Sequence, residues 1–443
     1  MNQDGTIFAL ASGAGRAGVA VLRISGKRAS HALAALTLRP LPAPRRASLR
    51  RLFDAASGEP LDDALALWFP APHSFTGEDV VELHLHGGRA VVAAITDVLA
   101  GLTGLRVARP GEFTRRAFEN GKLDLAEAEG LADLIDAETE GQRRQALRQM
   151  EGGLSRQAEG WSQAIVEALA LLEAEIDFPD EGLPARLAAR VVPVLEALQA
   201  SLRVQLADAR RGERVREGFR IVILGAPNAG KSTLLNRLVG REAAITAETP
   251  GTTRDVIEAR LEIAGYPVLL SDTAGLRETD DPVELEGVRR AMAQAQAADL
   301  RLLVVDSTTE APPPSGVELG EDDFVLLNKM DQAGVSFPPT DGHTLRISAK
   351  TGQGLTALKA KLEEIVALRL AAVEAAPLTR ARHREAVSQA LEAVERALAS
   401  LAQGPELAAE DLRLAGRAIG QLTGRFDIER VLDSIFAKFC IGK

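Results

Sequence analysis

Eight residues, Gly225-Ala226-Pro227-Asn228-Ala229-Gly230-Lys231-Ser232, constrain this chain more than any other stretch. They fit the spacing Gly-x-x-x-x-Gly-Lys-Ser/Thr, in which glycines let successive backbone N–H groups turn toward a phosphate. The apolar run Ile221, Val222, Ile223, Leu224 before it reads as a buried strand, and residues 233–238 follow with helical spacing. The loop therefore joins a strand to a helix N-terminus, the setting that separates a phosphate cradle from an ordinary glycine turn. Asn228, Ala229, Gly230, Lys231, Ser232 and Thr233 form its phosphate-facing part. The helix dipole adds to the attraction, Lys231 supplies a point charge, and Ser232 offers a hydroxyl to Mg²⁺.

Three more tetrapeptide-sized signals follow in order, each at the end of an apolar strand, and together they are far more specific than any one alone. Asp272-Thr273-Ala274-Gly275 follows Val268 to Leu270; its carboxylate can hold Mg²⁺ through water and its glycine N–H can sense a γ-phosphate. Asn328-Lys329-Met330-Asp331 follows Phe324 to Leu327, and a carboxylate there accepts both N1–H and the exocyclic amine of guanine, donors that adenine lacks. The base is therefore guanine. Ser348-Ala349-Lys350, after a last short strand, completes the base pocket through a backbone N–H. Between loop and Asp272 lie Ala247, Glu248, Thr249, Pro250, Gly251, Thr252 and Thr253, where a threonine hydroxyl, read as that of Thr253, completes the magnesium shell. Many GTPases orient the attacking water with a glutamine directly after the Asp-Thr-Ala-Gly motif; here that position is Leu276, which cannot polarise water. Hydrolysis must draw on another carboxylate and another positive charge, either Arg254, Arg277 or a bound cation.

A length of 443 residues suggests about three domains. With 46% hydrophobic and 26% charged residues the chain has enough apolar surface for real cores. The net charge of −10 argues against a general polyanion binder, so any RNA contact needs a local basic patch. Arg380, Arg382 and Arg384, or Arg143, Arg144 and Arg148, are candidates, with a solvated helix face as the plainer reading. A single cysteine, Cys440, allows no intramolecular disulfide, and six scattered histidines leave no zinc cluster. The N-terminus has no basic region followed by an apolar stretch, and no run of 18 apolar residues occurs, so a cytoplasmic protein without membrane attachment is expected.

Residues 1–120 alternate strand-like and helix-like segments, with strands at 6–12, 19–25, 64–69 and 80–85 and a helix at 89–100, as in an α+β domain. Residues 121–215 carry almost no strand signal, and Trp161, Ile165, Leu169, Leu172 and Ile176 recur at helical spacing. The pattern returns over 379–443, with Leu412, Ala415, Ile419 and Leu422 on one face. One discontinuous helical domain, interrupted by a Ras-like P-loop G domain with a mostly parallel sheet over 216–378, accounts for both blocks; two separate small bundles are the alternative.

At this point the residues resemble closely the tRNA modification GTPase family MnmE, also called TrmE, over the whole chain. Besides the GTPase motifs the resemblance is carried by residues 22–26 (Leu-Arg-Ile-Ser-Gly), 74–79 (Ser-Phe-Thr-Gly-Glu-Asp), 109–114 (Arg-Pro-Gly-Glu-Phe-Thr), 122–125 (Lys-Leu-Asp-Leu) and the terminal Cys440-Ile441-Gly442-Lys443. It implies an N-terminal domain that binds 5-formyltetrahydrofolate and forms a homodimer, and a potassium ion beside the phosphates that takes the place of an arginine finger. Carried onto this chain, Asn228 is the side-chain potassium ligand, helped by Ala247, Thr249 and Thr252, and Glu284 is the catalytic glutamate that orients the water. The acidic neighbours Asp280, Asp281 and Glu286 compete with Glu284 for that role, and a helix-start carboxylate is its structural reading. Arg23, Glu82, Lys122 and Lys443 match the folate positions, and Cys440 is read either as a participant in the modification or as a small buried hydrophobe. The resemblance further implies the flavoprotein MnmG as partner and the wobble uridine of tRNA as substrate.

Overall fold

The computed structural model describes residues 5–13, 15–177, 186–243, 258–272, 292–309, 319–332, 342–371, 378–425, 435, 436, 439 and 442. Contacts divide the chain into two compact units, residues 1–132 with 417–443 and residues 133–416.

The first unit is built on a six-stranded sheet of order β3-β4-β5-β2-β1-β6: β1 (Thr6–Leu10), β2 (Ala17–Ser25), β3 (Ser48–Phe53), β4 (Pro60–Phe69), β5 (Val80–Gly87) and β6 (Leu105–Val107). Only the β1–β6 pair is parallel. Period-two alternation gives the sheet its two faces. Leu22, Ile24, Leu52, Ala66, Leu83 and Leu85 point to one side, where α1 (Ala29–Thr37) and α2 (Arg89–Gly101) cover them with Leu33, Leu36, Ile95 and Leu99. The opposite face carries Leu49, Leu65, His84 and Val21 as direct neighbours across β3, β4, β5 and β2. Leu49 is 68% and Leu65 42% exposed, so this face is open within the unit. The strands and α2 lie where the alternation places them; α1, β3, β6 and α3 (Glu112–Glu119) are additions that short, irregular patterning did not signal.

Further along, α4 (Leu125–Ile135) contributes Leu125 and Ala128 to a small core completed by Phe436 and Phe439. Gly442 comes so close to the Leu10 carbonyl that a Cβ there would lie 2.0 Å from its oxygen. The end of the chain therefore packs into the N-terminal unit. A half-buried ion network braces the same unit: Glu112 meets Arg106 and Arg116, and Arg116 also reaches Glu78 at 3.0 Å. Burial is the largest influence on the Glu112 carboxyl and raises its pKa, but the bonds from Arg106, the Arg109 N–H and Arg116 outweigh it and bring the value to about 2.

The second unit combines helices α5 (Glu140–Met150), α6 (Gly153–Asp177), α7 (Arg186–Glu217), α10 (Ala381–Ser400) and most of α11 (Pro405–Thr423) with a second sheet. On α6 the buried stripe is Trp161, Ile165, Ala168 and Leu172, and on α11 it is Leu412, Ala415, Ile419 and Leu422. The sheet order is β12-β11-β10-β7-β9-β8, all parallel except β8 (Glu258–Ile263) against β9 (Tyr266–Asp272). Its other strands are β7 (Phe219–Gly225), β10 (Leu300–Asp306), β11 (Phe324–Asn328) and β12 (Thr344–Arg346), with α8 (Lys231–Ala243) and α9 (Leu355–Leu370) packed on it. Helices covering a parallel sheet explain why β7, β10 and β11 read as near-continuous apolar runs. The β8–β9 turn, Ala264-Gly265, is left-handed at both residues, and its tip receives a hydrogen bond from the Gly141 N–H at 2.8 Å.

A carboxyl whose folded pKa is depressed contributes stability in full above its unfolded value, 4.5 for Glu112, and that contribution is lost as the pH falls toward 2. Glu112→Gln is therefore expected to be less stable at pH 6, by about 1–3 kcal/mol, and to lose less than the parent between pH 5 and pH 3. Urea midpoints across that range check it; parallel pH profiles would refute the role given to this carboxylate.

Candidate functional site

Four strands of the second sheet end on one edge. Gly225 lies beside Val304 in register, Asp272 pairs with Ile223, and Asp306 pairs with Asn328. The carboxyl ends of parallel strands are where such sheets bind ligands. Here the loop from Gly225 to Gly230 and the start of α8 meet Asp272 and the segments after β11 and β12.

Asn328 is the fastener. Its side chain is 2% exposed; Nδ2 donates to the Ala229 carbonyl at 2.7 Å, and Oδ1 accepts the Ala349 N–H at 2.9 Å. One amide thus ties the phosphate-type loop to the loop after β12. Gly230 leaves room for it: at φ 100° with the Asn328 amide nitrogen 2.2 Å from where a Cβ would stand, no other residue fits. The Ala349 N–H is consequently occupied, which leaves the Lys350 N–H as the backbone donor of that loop.

Lys231 is 6% exposed and donates to the Gly225 and Ala226 carbonyls, both at 3.0 Å. Burial lowers its pKa, with Asp272 acting in the opposite direction. The Ser232 hydroxyl donates to Asp272 Oδ2 at 2.6 Å, while Asp272 Oδ1 is buried with no hydrogen-bond partner. An orphaned carboxylate oxygen beside a serine hydroxyl and a buried ammonium suits a hard cation with oxygen ligands, so the chemistry of this donor set fits Mg²⁺. Asn228 is exposed and holds a left-handed φ of 63°. A neutral amide oxygen fits a monovalent cation as well as it fits water.

At the base end, Asp331 is exposed and accepts the Ser348 hydroxyl at 2.6 Å, a bond that is the main cause of its lowered pKa. Lys329, at φ 72°, meets Asp306 Oδ2 at 2.5 Å. Sequence reasoning passed over Asp306, although a carboxylate closing the apolar run Leu302 to Val305 is the same signal that marks Asp272. Ala247, Glu248, Thr249, Pro250, Gly251, Thr252, Thr253, Thr273, Ala274, Gly275, Glu284, Cys440 and Lys443 lie outside the described residues.

The first unit joins two members of the other expected set. Arg23 and Glu82 are register partners across β2 and β5, and Arg23 Nε donates to Glu82 Oε1 at 2.9 Å. The Arg23 guanidinium stands 5.2 Å from the Phe75 ring centre and 5.8 Å from that of Phe113. Lys122 packs on the same loop two residues on, where its Cε would come within 3.2 Å of a Cβ at Gly77. Glu82 Oε2 lies 4.0 Å from His84 and takes no bond from Arg23, so one carboxylate oxygen is open to a donor ligand. Such an oxygen, beside a guanidinium that stands near two aromatic rings, fits an aromatic ligand that carries N–H donors, as a folate does.

Family models match nearly the whole chain: one described as "GTP-binding protein TrmE N-terminus" over residues 6–122 and one described as "MnmE helical domain" over residues 125–440. A protein of Parvibaculum lavamentivorans named "tRNA modification GTPase MnmE" is 57% identical over 445 residues, covering 99% of this chain and 100% of the relative. Proteins of the same name from Phenylobacterium zucineum and Paramagnetospirillum magneticum are each 56% identical, with 99% of both chains covered.

Asn328→Ala removes both bonds of the fastener and leaves the Ala229 carbonyl and Ala349 N–H buried without partners. A loss of about 2 kcal/mol in unfolding free energy is expected, read from urea denaturation. A change within about 0.5 kcal/mol would mean that the two loops hold their places independently.

Proposed function

Because the chain belongs to the MnmE family of tRNA modification GTPases, we propose that it is a potassium-stimulated GTP hydrolase of tRNA wobble-uridine modification. It works as a homodimer with the flavoprotein MnmG in the cytoplasm, adding an aminomethyl or carboxymethylaminomethyl group to C5 of the uridine from a tetrahydrofolate one-carbon unit. The three-part division proposed with it is 1–120 for folate binding and dimerisation, 121–215 plus 379–443 as the helical domain, and 216–378 as the G domain.

The observation that carries the reading is the buried Asp272 carboxylate with one free oxygen, set beside Ser232 and Lys231 at the end of β7 and β9. With GTP in place, Lys231 releases its two loop carbonyls and turns to the β- and γ-phosphates, and the N–H groups of residues 229–233 surround the β-phosphate. Asp331 accepts N1–H and the exocyclic amine of guanine, and the Lys350 N–H serves the carbonyl at C6, since Ala349 is held by Asn328. Ser232 and Thr253 hold Mg²⁺, which neutralises phosphate charge when bound. Asn228, with Ala247, Thr249 and Thr252, would hold K⁺, which would supply the positive charge that an arginine otherwise brings to phosphoryl transfer. Glu284 orients the attacking water, a task Leu276 cannot perform.

In the N-terminal unit, Arg23, Glu82 and Lys122, with Lys443, hold the folate, and Cys440 stands in reserve as a participant in the transfer. The row Leu49, Leu65 and Val19, exposed at 68%, 42% and 57% on the open sheet face, supports docking of a second copy. No helix among the described residues is long and apolar enough to cross a membrane.

GTP turnover measured in potassium and in sodium is the primary test. Potassium is expected to raise the rate, and Asn228→Ala to lower the stimulated rate by about tenfold or more while leaving the sodium rate unchanged; equal rates in the two salts would sink the potassium reading. Glu284→Ala should reduce turnover in both salts. For the base, Asp331→Asn replaces an acceptor pair by an acceptor and a donor, so binding should shift from GTP toward XTP, as competition with a fluorescent nucleotide would report.

A further inference from the structure

The chain as a whole carries a net charge of −10, yet residues 5–53 contain nine Lys and Arg and no Asp or Glu. What those cations touch separates them. Arg23 pairs with Glu82 and Arg51 with Asp63, and Arg28 donates to the Thr103 carbonyl. Arg39, Arg45 and Arg46 lie exposed on the connector between α1 and β3, and none of the three meets a carboxylate among the described residues. Three acids of the neighbouring β3–β4 hairpin are already engaged, Asp54 by Ser57, Asp62 by His86 and Asp63 by Arg51, and the fourth, Glu59, sits in the turn between the two strands.

The connector is also held in shape. The Arg45 N–H donates to the Trp68 carbonyl at 2.8 Å, its guanidinium stands 5.9 Å from the Phe69 ring centre and bonds the His73 carbonyl, and the Arg46 N–H reaches Ala43 at 3.3 Å. Pro40, Pro42 and Pro44 fix φ at alternate positions, which limits the freedom lost on binding. The patches that the sequence suggested are, by contrast, largely neutralised. Arg143 and Arg144 share Glu140 at 2.8 and 3.5 Å, Arg380 meets Asp133 at 2.7 Å, and Arg384 meets Glu213 at 2.6 Å.

We propose that the α1–β3 connector is an RNA-docking surface, with Arg39, Arg45 and Arg46 on phosphates and the exposed residue His73, whose carbonyl Arg45 holds, offering its ring to an unstacked base. Guanidinium groups not held by carboxylates match phosphate oxygens bidentately, and rings next to them suit single-stranded loops of RNA. An acidic protein surface would use the cations but not the ring, so RNA is the better fit. The inference rests on the tRNA reading above and says where that substrate lands.

The test is fluorescence anisotropy of a tRNA transcript titrated with the full-length chain at several salt concentrations. Arg39→Gln, Arg45→Gln and Arg46→Gln are combined in one variant, with Arg143→Gln and Arg144→Gln as comparator and melting temperature as the check on folding. The connector variant is expected to bind about tenfold more weakly and to lower the slope of log affinity against log salt by about two to three, while the comparator stays at the parent affinity. Unchanged affinity in the connector variant, equal weakening in the comparator, or lost binding to an acidic protein partner with RNA affinity intact would each overturn the assignment. The tRNA reading fails separately, by a cell lacking this chain that still carries fully modified wobble uridine.

Discussion

A single buried amide holds the nucleotide-type site together. Asn328 accepts from one loop and donates to another, and both contacts are made away from water. Leaving either partner unpaired costs more than the bond itself contributes, so the arrangement behaves as a unit: the loops are placed together or not at all. Gly230 is the steric counterpart of that amide, because the space where its side chain would be is occupied by the Asn328 nitrogen. The parallel strands supply the rest by ending at one edge with Gly225, Asp272, Asp306 and Asn328 in neighbouring positions.

Charge is organised locally in an acidic chain. Lys231 is kept buried against carbonyls and one carboxylate, a cation poised for an anion of higher charge. In the first unit the Glu112, Arg106, Arg116 and Glu78 network uses its charges to join β6, α3 and the loop before β5, and Arg23 is drawn to Glu82 over two aromatic rings. Exposed arginines matter only where no carboxylate is in reach, and sequence distance says little about that reach. Glu140 sits three and four residues from Arg143 and Arg144 on one helix, whereas Asp133 reaches Arg380 across almost 250 positions.

Much of the site was legible from spacing. The strand, glycine loop and helix around residue 225 are local features whose physics is contained in a dozen residues, and the strands ending at Asp272 and Asn328 lie where the apolar runs placed them. The buried stripes of α6 and α11 follow from period 3.6, with Ala168 taking the position given to Leu169 and with Ile176 only half-buried. Arg23, Glu82, Lys122 and Lys443 were singled out only through family resemblance, since each alone is an ordinary surface charge. Phe75 and Phe113, the rings that stand near the Arg23 guanidinium, were inside quoted motifs but carried no signal of their own.

By itself, then, the sequence determined the elements whose cause is local: the phosphate-type loop, the apolar strands of the parallel sheet and the helical stripes. Tertiary structure alone decided which donors are free and which are taken. That Ala349 gives its N–H to Asn328, that Asp272 keeps one oxygen unpaired, that Asp306 holds Lys329, and that the arginines of the α1–β3 connector stay without a carboxylate are all outcomes of long-range pairing. Hydrogen-bond and charge satisfaction depends on distances across the fold, and residues far apart in the chain set those distances only once the sheets have closed.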